Sequence, residues 1–173
     1  MSNDVYGYIL PDPNTDYKLT LERYLQTCSL NIRQIEQSEL FDYPTYLIPH
    51  TESFIFDISD GPNSINATYL IDYNQYAPDT DIGFPADPKA RLDILINTLI
   101  DMIKITNTSK MVVSMTECNQ IETIRRIKFS DMRKVIHADF KAYQGPPNTL
   151  YEIILCRFQK LSENRVGKRL DKV

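Results

Sequence analysis

Residues 87–116, DPKARLDILINTLIDMIKITNTSKMVVSMT, decide the fold of this chain. Asp87 followed by Pro88 indicates a helix start, because aspartate caps a first turn and proline is tolerated there. Apolar residues then recur every three or four positions and predict one buried helix face as far as residue 105. That stripe comprises Leu92, Leu95, Ile96, Leu99, Met102 and Ile103. After the break at residues 107–109, residues 110–116 are predicted as a strand, so a helix packs back on a sheet.

The segment before this stretch begins with a strand and a helix. Residues 5–10 are aromatic and aliphatic and end at Pro11-Asp12-Pro13, which predicts a strand followed by a turn. Asn14-Thr15-Asp16 then offers capping side chains for a helix near residues 15–28. Residues 30–32 are compatible with a brief strand or with an extension of that helix.

In residues 44–74 the sequence pattern changes from helical spacing to β-rich runs typical of strands. Turn residues at 49–52 and 59–64 separate three β-rich runs, and the second turn contains Asp60-Gly61. We interpret this region as an antiparallel meander. Its predicted strands are residues 46–48, 54–58 and 68–73.

The C-terminal part predicts a third helix and a last strand. Ser130 is expected to cap a helix that continues to Tyr143, and residues 150–158 form the last strand. The expected fold is a single α+β domain at residues 1–161, followed by a charged tail at residues 162–173. It has a mostly antiparallel, possibly mixed, sheet of about five to six strands against two to three helices.

Composition is that of an ordinary globular domain. The 173 residues are 42% hydrophobic and 24% charged, and the formal net charge is −4.

The three cysteines, Cys28, Cys118 and Cys156, form no metal-binding pattern and are expected to be buried thiols in a reducing compartment. An acid at position 4 and the absence of a long apolar run argue against a signal peptide and a membrane span. We therefore expect a cytoplasmic protein.

No catalytic motif is recognisable. The chain contains no glycine-rich phosphate loop and no nucleophile elbow. His50 and His137 are its two histidines, and neither has an identifiable partner for acid–base work. The closest approach to a metal site is Asp79-Thr80-Asp81, which has no basic or phosphate-binding motif beside it. We therefore predict a protein that is not an enzyme, with no catalytic residues, no metal and no cofactor.

Charge is distributed unevenly along the chain. Residues 1–100 contain 15 acids and 5 bases, whereas residues 101–173 contain 8 acids and 14 bases. Residues 39–87 hold nine acids and five tyrosines but no lysine or arginine. Such a stretch favours a basic partner, because negative potential steers its approach and tyrosines supply contact area. The alternative is a solvated acidic face whose tyrosines lie in the core.

The basic residues 125–128 and 133–134 have two possible uses. They could contact nucleic acid, or they could pair with the acidic half of the chain. A sequence pI near 5.2 is not typical of a general nucleic-acid binder, so internal pairing is favoured.

Four segments carry a family resemblance. They are the loop DTDIGF at residues 79–84, the helix at residues 89–105, the strand at residues 111–116 with ECNQ after it, and the helix at residues 132–143. Together they resemble the immunity proteins of contact-dependent growth inhibition and related bacterial polymorphic-toxin systems. The resemblance covers roughly residues 54–158.

The resemblance implies an inhibitor that binds one toxin domain, one to one, inside the producing cell. Many such toxins are basic nucleases, so the chain would act by protein–protein contact, without direct binding to nucleic acid or membrane. We expect the acidic stretch at residues 39–87 to supply the interface. The candidate partner-binding residues are Asp57, Asp60, Asp72, Tyr73, Tyr76, Asp79 and Asp81.

Two alternatives from other classes stay open. One is a small hydrolase or nuclease whose site is assembled from scattered carboxylates and His137. The other is a phage or mobile-element accessory protein that mimics nucleic acid.

Overall fold

The computed structural model describes residues 3–58, 70–73 and 85–156, which form a six-stranded mixed sheet with three helices. The fold is α+β in one domain, as the sequence predicts. In chain order the elements are β1 (Asn3–Leu10), α1 (Lys18–Thr27), β2 (Ile32–Gln34), β3 (Phe54–Ile58), α2 (Pro88–Thr106), β4 (Lys110–Glu117), β5 (Thr123–Lys128), α3 (Met132–Tyr143) and β6 (Thr149–Ile154).

The strands lie in the order β2-β3-β1-β4-β6-β5. Every neighbouring pair is antiparallel except β5 and β6, which are parallel. Helix α3 connects these two strands, because parallel neighbours need a crossover that returns the chain to the same end of the sheet. The segment after α1 that the sequence left open, residues 30–32, leads into an edge strand: β2 begins at Ile32 and ends at Gln34.

Helix α2 begins and ends as its sequence predicts. The side chain of Asp87 accepts a hydrogen bond from the backbone N–H of Lys89 at 3.3 Å, and Pro88 is the first helical residue. Asn107 ends the helix in the left-handed conformation, with φ 46°. All six predicted stripe residues are at most 1% exposed, so α2 is the central helix of the core.

Strand β1 lies between β3 and β4 and buries both of its faces. Val5 and Ile9 belong to the main core beneath the helices, whereas Tyr6 and Tyr8 belong to a second cluster on the opposite face. Residues 36–48, which we call the strap, cover part of this second face. The strap contains two short 3-10 turns, Gln37–Glu39 and Thr45–Leu47.

The predicted helix caps of α1 and α3 are wrong. Helix α1 begins at Lys18 and has no side-chain cap, so Asn14-Thr15-Asp16 does not cap it. Ser130 lies in a 3-10 turn, Phe129–Asp131, and α3 begins after that turn. Capping residues also favour turns that do not start a helix, which is why the pattern misled in both places.

The polar turn after β1 instead ties the strand to the end of α2. The backbone N–H of Asp12 donates to the carbonyl of Thr106 at 3.0 Å. The Asn107 side-chain amide donates to the Asp12 carboxylate at 3.0 Å and to the Thr15 hydroxyl at 3.3 Å. These bonds explain why the turn residues are polar.

The predicted meander at residues 44–74 is also wrong. Among the described residues of this region, 44–58 and 70–73, β3 is the one strand, and it pairs with β1 and β2 rather than with neighbours in the same region. Residues 46–48 overlap the 3-10 turn Thr45–Leu47, and Leu70 and Ile71 are helical and fully buried. A short apolar run does not by itself distinguish a buried strand from a buried helical segment.

Several predictions fall outside the described residues. They concern the hairpin loop at 59–64, the loop at 74–84, the end of the last strand at 157–158 and the tail at 162–173. Within the described ranges, no helix combines the length and the apolar content that crossing a bilayer requires.

Gly7 marks the closest approach of β1 to β4, and its replacement gives a test of the fold. A Cβ at this position would lie 2.2 Å from the Val112 carbonyl oxygen and 2.8 Å from the Val113 Cα, so the strand backbones would have to separate. We expect Gly7→Ala to lower the free energy of unfolding by about 2–3 kcal/mol in urea titrations. Gly145→Ala is the matched control, since nothing lies within 4 Å of its added Cβ. Equal stabilities of the two variants would contradict the close approach.

Candidate functional site: an acidic groove beside the strap

Three tyrosine hydroxyls fasten the strap to the sheet. Tyr8 donates a hydrogen bond to the Leu47 carbonyl at 2.6 Å, and Tyr6 donates to the Phe41 carbonyl at 2.8 Å. In the opposite direction, Tyr43 of the strap donates to the Tyr6 carbonyl at 2.8 Å. The rings also pack together, with centroids of Tyr6 and Tyr43 5.5 Å apart. Because these bonds hold the middle and the C-terminal end of the strap, its path over β1 is fixed.

Asp42 adds a further attachment at the tip of the strap. It adopts a left-handed backbone conformation, with φ 60°, and its carboxylate accepts a hydrogen bond from the Ile121 N–H at 2.9 Å. Aspartate tolerates this conformation better than most residues do. The strap is therefore linked to the loop between β4 and β5 as well as to β1.

A groove of about 310 Å³ runs along one side of the strap. Strands β1, β2 and β3 supply its floor, and the strap supplies Glu39 and Phe41. Phe41 is 55% exposed, so an aromatic ring faces solvent at this site. The groove is lined by Asn3, Asp4, Val5, Tyr6, Arg33, Ile35, Glu39, Phe41, Asp57, Ile58 and Asn119.

Three carboxylates and one guanidinium line the groove. Arg33 and Asp57 are cross-strand partners on β2 and β3, and their side chains form a two-contact ion pair, with Nε to Oδ1 at 3.0 Å. Glu39 accepts a hydrogen bond from the Glu36 N–H at 2.8 Å. Asp4 accepts one from the Asn119 N–H at 3.2 Å. The carboxylates are thus held in place and outnumber the single positive charge.

Burial changes the acidity of the tyrosines beneath the strap. Desolvation raises the pKa of Tyr6 to about 12, and the negative charges of Asp4 and Asp42 contribute to the increase. Desolvation likewise raises the pKa of Tyr8 to about 12 and that of Tyr43 well above its usual value. The cluster therefore stays protonated and uncharged at a pH where exposed tyrosine has begun to ionise.

The structure places the described candidate partner-binding residues in three different settings. Asp57 lines the groove. Asp72 lies at the other side of the sheet, where its backbone carbonyl accepts a hydrogen bond from Arg91 at 3.0 Å. Tyr73 is 8% exposed and packs in the helix-side core, so its side chain is not part of the groove. Asp60, Tyr76, Asp79 and Asp81 lie outside the described residues.

Asp4 and Phe41 are site residues that the sequence did not single out. One signal for Asp4 exists, because strand alternation places it on the same face of β1 as Tyr6 and Tyr8. Phe41 has no comparable signal, since its exposure depends on the path of the strap. Arg33 enters the site only through its register opposite Asp57.

His137 is the histidine that the alternative hydrolase or nuclease function would use. Its Nε2 lies 2.9 Å from a carboxylate oxygen of Asp93, which also pairs with Arg133. Its Nδ1 is buried and has no hydrogen-bond partner. A general base must reach the proton that it removes, which the buried Nδ1 does not do. His50 is exposed.

The cysteines are free thiols, and the expectation that all are buried is wrong. Cys118 and Cys156 are exposed, and Cys28 is half-buried. Burial raises the pKa of the Cys28 thiol, which disfavours the reactive thiolate. Among the described residues, no group of three or more His, Cys, Asp or Glu side chains is arranged to hold a metal ion.

The basic segments pair internally, although mainly with acids outside residues 39–87. Arg125 pairs with Asp139, and Arg126 lies 3.6 Å from Glu152. Glu152 also pairs with Lys110 at 2.7 Å. These contacts hold β5 and β6 to their neighbours.

The buried phenols predict a loss of stability at alkaline pH. Above the ordinary tyrosine pKa of about 10, the unfolded chain releases phenol protons that the folded chain retains until about pH 12. The free energy of unfolding therefore decreases as pH rises through this interval. Urea unfolding from about pH 9 to about pH 12, with absorbance at 295 nm as the probe of ionisation, measures this slope.

Tyr8→Phe separates this effect from general alkaline denaturation. The variant should be about 1 kcal/mol less stable at neutral pH, because the Leu47 carbonyl loses its donor, and its stability should fall less steeply above pH 10. Tyr46→Phe serves as the control, since Tyr46 is 71% exposed. A slope for Tyr8→Phe equal to that of the unmodified chain would rule out the buried phenols as the cause.

Comparison with known proteins adds no relative to this description: no family model matches the chain, and neither a curated protein nor a solved structure is significantly similar to it.

Proposed function

We propose that this chain is an immunity-type inhibitor that binds the basic toxin domain of a contact-dependent growth inhibition system, one to one. Inhibition would come from protein–protein contact, and a basic nuclease domain is the partner that the charge pattern favours. The observation that carries the proposal is the acidic groove, in which three carboxylates lie beside a solvent-exposed aromatic ring.

The groove suits a lysine or arginine side chain from a partner. Carboxylates accept charge-assisted hydrogen bonds from such groups, and an arginine presents two parallel donors to them. Phe41 offers a ring face on which a guanidinium can stack. Asp57 already binds one guanidinium, that of Arg33, within the groove, so the chemistry of recognition is present in the free protein.

The groove would form one part of a larger contact surface for the partner. A stable protein–protein interface buries about 800 Å² on each partner, far more than one groove supplies. The strap extends the surface with Tyr46, which is 71% exposed, and exposed tyrosine is enriched among residues that dominate binding energy. The acidic character of residues 39–87 would add long-range steering and a faster association rate.

Removal of the groove's charge and ring tests the proposal. The binding partner for the test is the C-terminal domain encoded by the gene immediately upstream, produced as a separate protein. We expect Glu39→Gln/Asp57→Asn and Phe41→Ala each to weaken the Kd measured by titration calorimetry at least tenfold, through lost charge-assisted bonds and lost contact area. Growth protection in cells that express the toxin domain should fall in parallel.

Glu22→Gln/Asp131→Asn is the matched control, because it removes two exposed carboxylates far from the groove and gives the same net charge. Its Kd should change less than about threefold, and its affinity should show the same salt dependence as that of the unmodified chain. If the control variant lost as much affinity, the effect would come from the net charge of the chain and not from the groove. No binding of the unmodified chain to that domain would reject the immunity function.

A further inference from the structure

One guanidinium is already bound in the acidic groove, and it belongs to the chain itself. Arg33 on β2 and Asp57 on β3 lie directly opposite each other in the antiparallel ladder. Nε of Arg33 donates to Oδ1 of Asp57 at 3.0 Å, and its Nη2 contacts Oδ2. Two parallel bonds to one carboxylate are also the geometry in which an arginine of one protein binds a carboxylate of another. The free chain thus shows how Asp57 holds a guanidinium.

The contact with Arg33 covers most of the Asp57 carboxylate. The Asp57 side chain is 21% exposed, whereas that of Arg33 is 56% exposed. In the part of the chain that the structure describes, no other group donates a hydrogen bond to this carboxylate. A guanidinium from a partner can make the same two parallel bonds only after Arg33 has left, because two cations at one carboxylate repel each other.

The Arg33 side chain can leave Asp57 without disturbing the fold. Strand β2 is held to β3 by its backbone at Ile32–Gln34, and this pairing does not depend on the guanidinium. More than half of the Arg33 side chain already faces solvent, so the released group is hydrated at once. Exposed ion pairs add little to stability, because water solvates the separated charges well. A competing arginine therefore displaces Arg33 at little cost.

We propose that Arg33 is an internal competitor for the groove, and that an arginine side chain of the partner takes its place on Asp57. The inference rests on the proposed binding of a basic partner by the groove. It assigns the bound side chain to arginine rather than lysine, because an ammonium group lacks the planar pair of donors that Arg33 uses. The exposed ring of Phe41 offers the incoming guanidinium a stacking face. The rest of the interface holds that arginine near Asp57 at a high effective concentration.

Acetyl-triarginine amide and acetyl-trilysine amide replace the partner in the first test. The two peptides carry the same charge and differ in the group that bears it. In NMR titrations at constant ionic strength, the backbone amides of Phe41 and Asp57 should report a Kd at least about threefold lower for triarginine. The Arg33 Nε–H resonance should move during the titration, because the group exchanges a carboxylate acceptor for water. Equal Kd values, no saturable shift, or an unmoved Arg33 resonance would overturn the proposal.

A double-mutant cycle separates displacement of Arg33 from simple charge repulsion. Arg33→Gln should tighten triarginine binding about twofold to fivefold, because the competitor is gone. Asp57→Asn should weaken the binding, and Arg33→Gln in that background should give no gain, since Arg33 competes through Asp57. The matched control is Arg23→Gln, which removes the same charge from an exposed position on α1, outside the groove, and should leave the Kd unchanged. The same gain with and without the Asp57 carboxylate, or in the control, would contradict displacement.

The peptides make failure of this inference distinguishable from failure of the proposed function. If the upstream domain binds through the groove but Arg33→Gln gains no affinity for the domain or for triarginine, the displacement is rejected and the immunity function stands. If that domain does not bind but the peptide cycle gives the expected result, the displacement stands and the partner is a different basic protein.

Discussion

The burial of three phenols under the strap is the constraint on which the outer face of this fold depends. Alternation along β1 directs Tyr6 and Tyr8 away from the helices, into a region where each hydroxyl must find an acceptor. The carbonyls of Phe41 and Leu47 supply those acceptors, and they do so only if the strap follows its observed path. The acidic groove is a consequence, since the strap leaves an open channel beside β2 and β3. Its walls are therefore fixed before any partner arrives, which lowers the entropic cost of binding.

Local signals made some of the fold predictable. Helix α2 could be predicted because its caps and its apolar stripe are complete within the segment itself. Strand β5 could not, since its adjacent arginines, Arg125 and Arg126, resemble a solvated basic run. Arg125 loses that character only when Asp139 of α3 neutralises it, and Asp139 also accepts a hydrogen bond from Tyr151 at 3.0 Å. The pairing joins three successive elements, β5, α3 and β6, so periodicity within β5 contains no trace of it.

The sequence predicts the negative charge of the candidate site but not where in the fold the site lies. Residues 39–87 indicate an acidic surface, and the groove draws Glu39, Phe41 and Asp57 from them. Asp4 joins these residues because β1 and β3 are paired antiparallel, and a register of this kind is set by tertiary packing. The acidic side chains of the groove therefore come from segments that a count along the sequence treats separately.

The strand order has a consequence for synthesis on the ribosome. Strand β6 is made last of the six strands described, yet it lies inside the sheet, between β4 and β5. Until it emerges, β4 presents an open edge with the apolar residues Met111, Val113 and Met115. At about 5–20 residues per second, this edge stays unpaired for a few seconds, long enough for unwanted strand pairing between nascent chains. Completion of the sheet therefore waits for its C-terminal strand, and a chaperone that shields β4 during that interval would favour the correct fold.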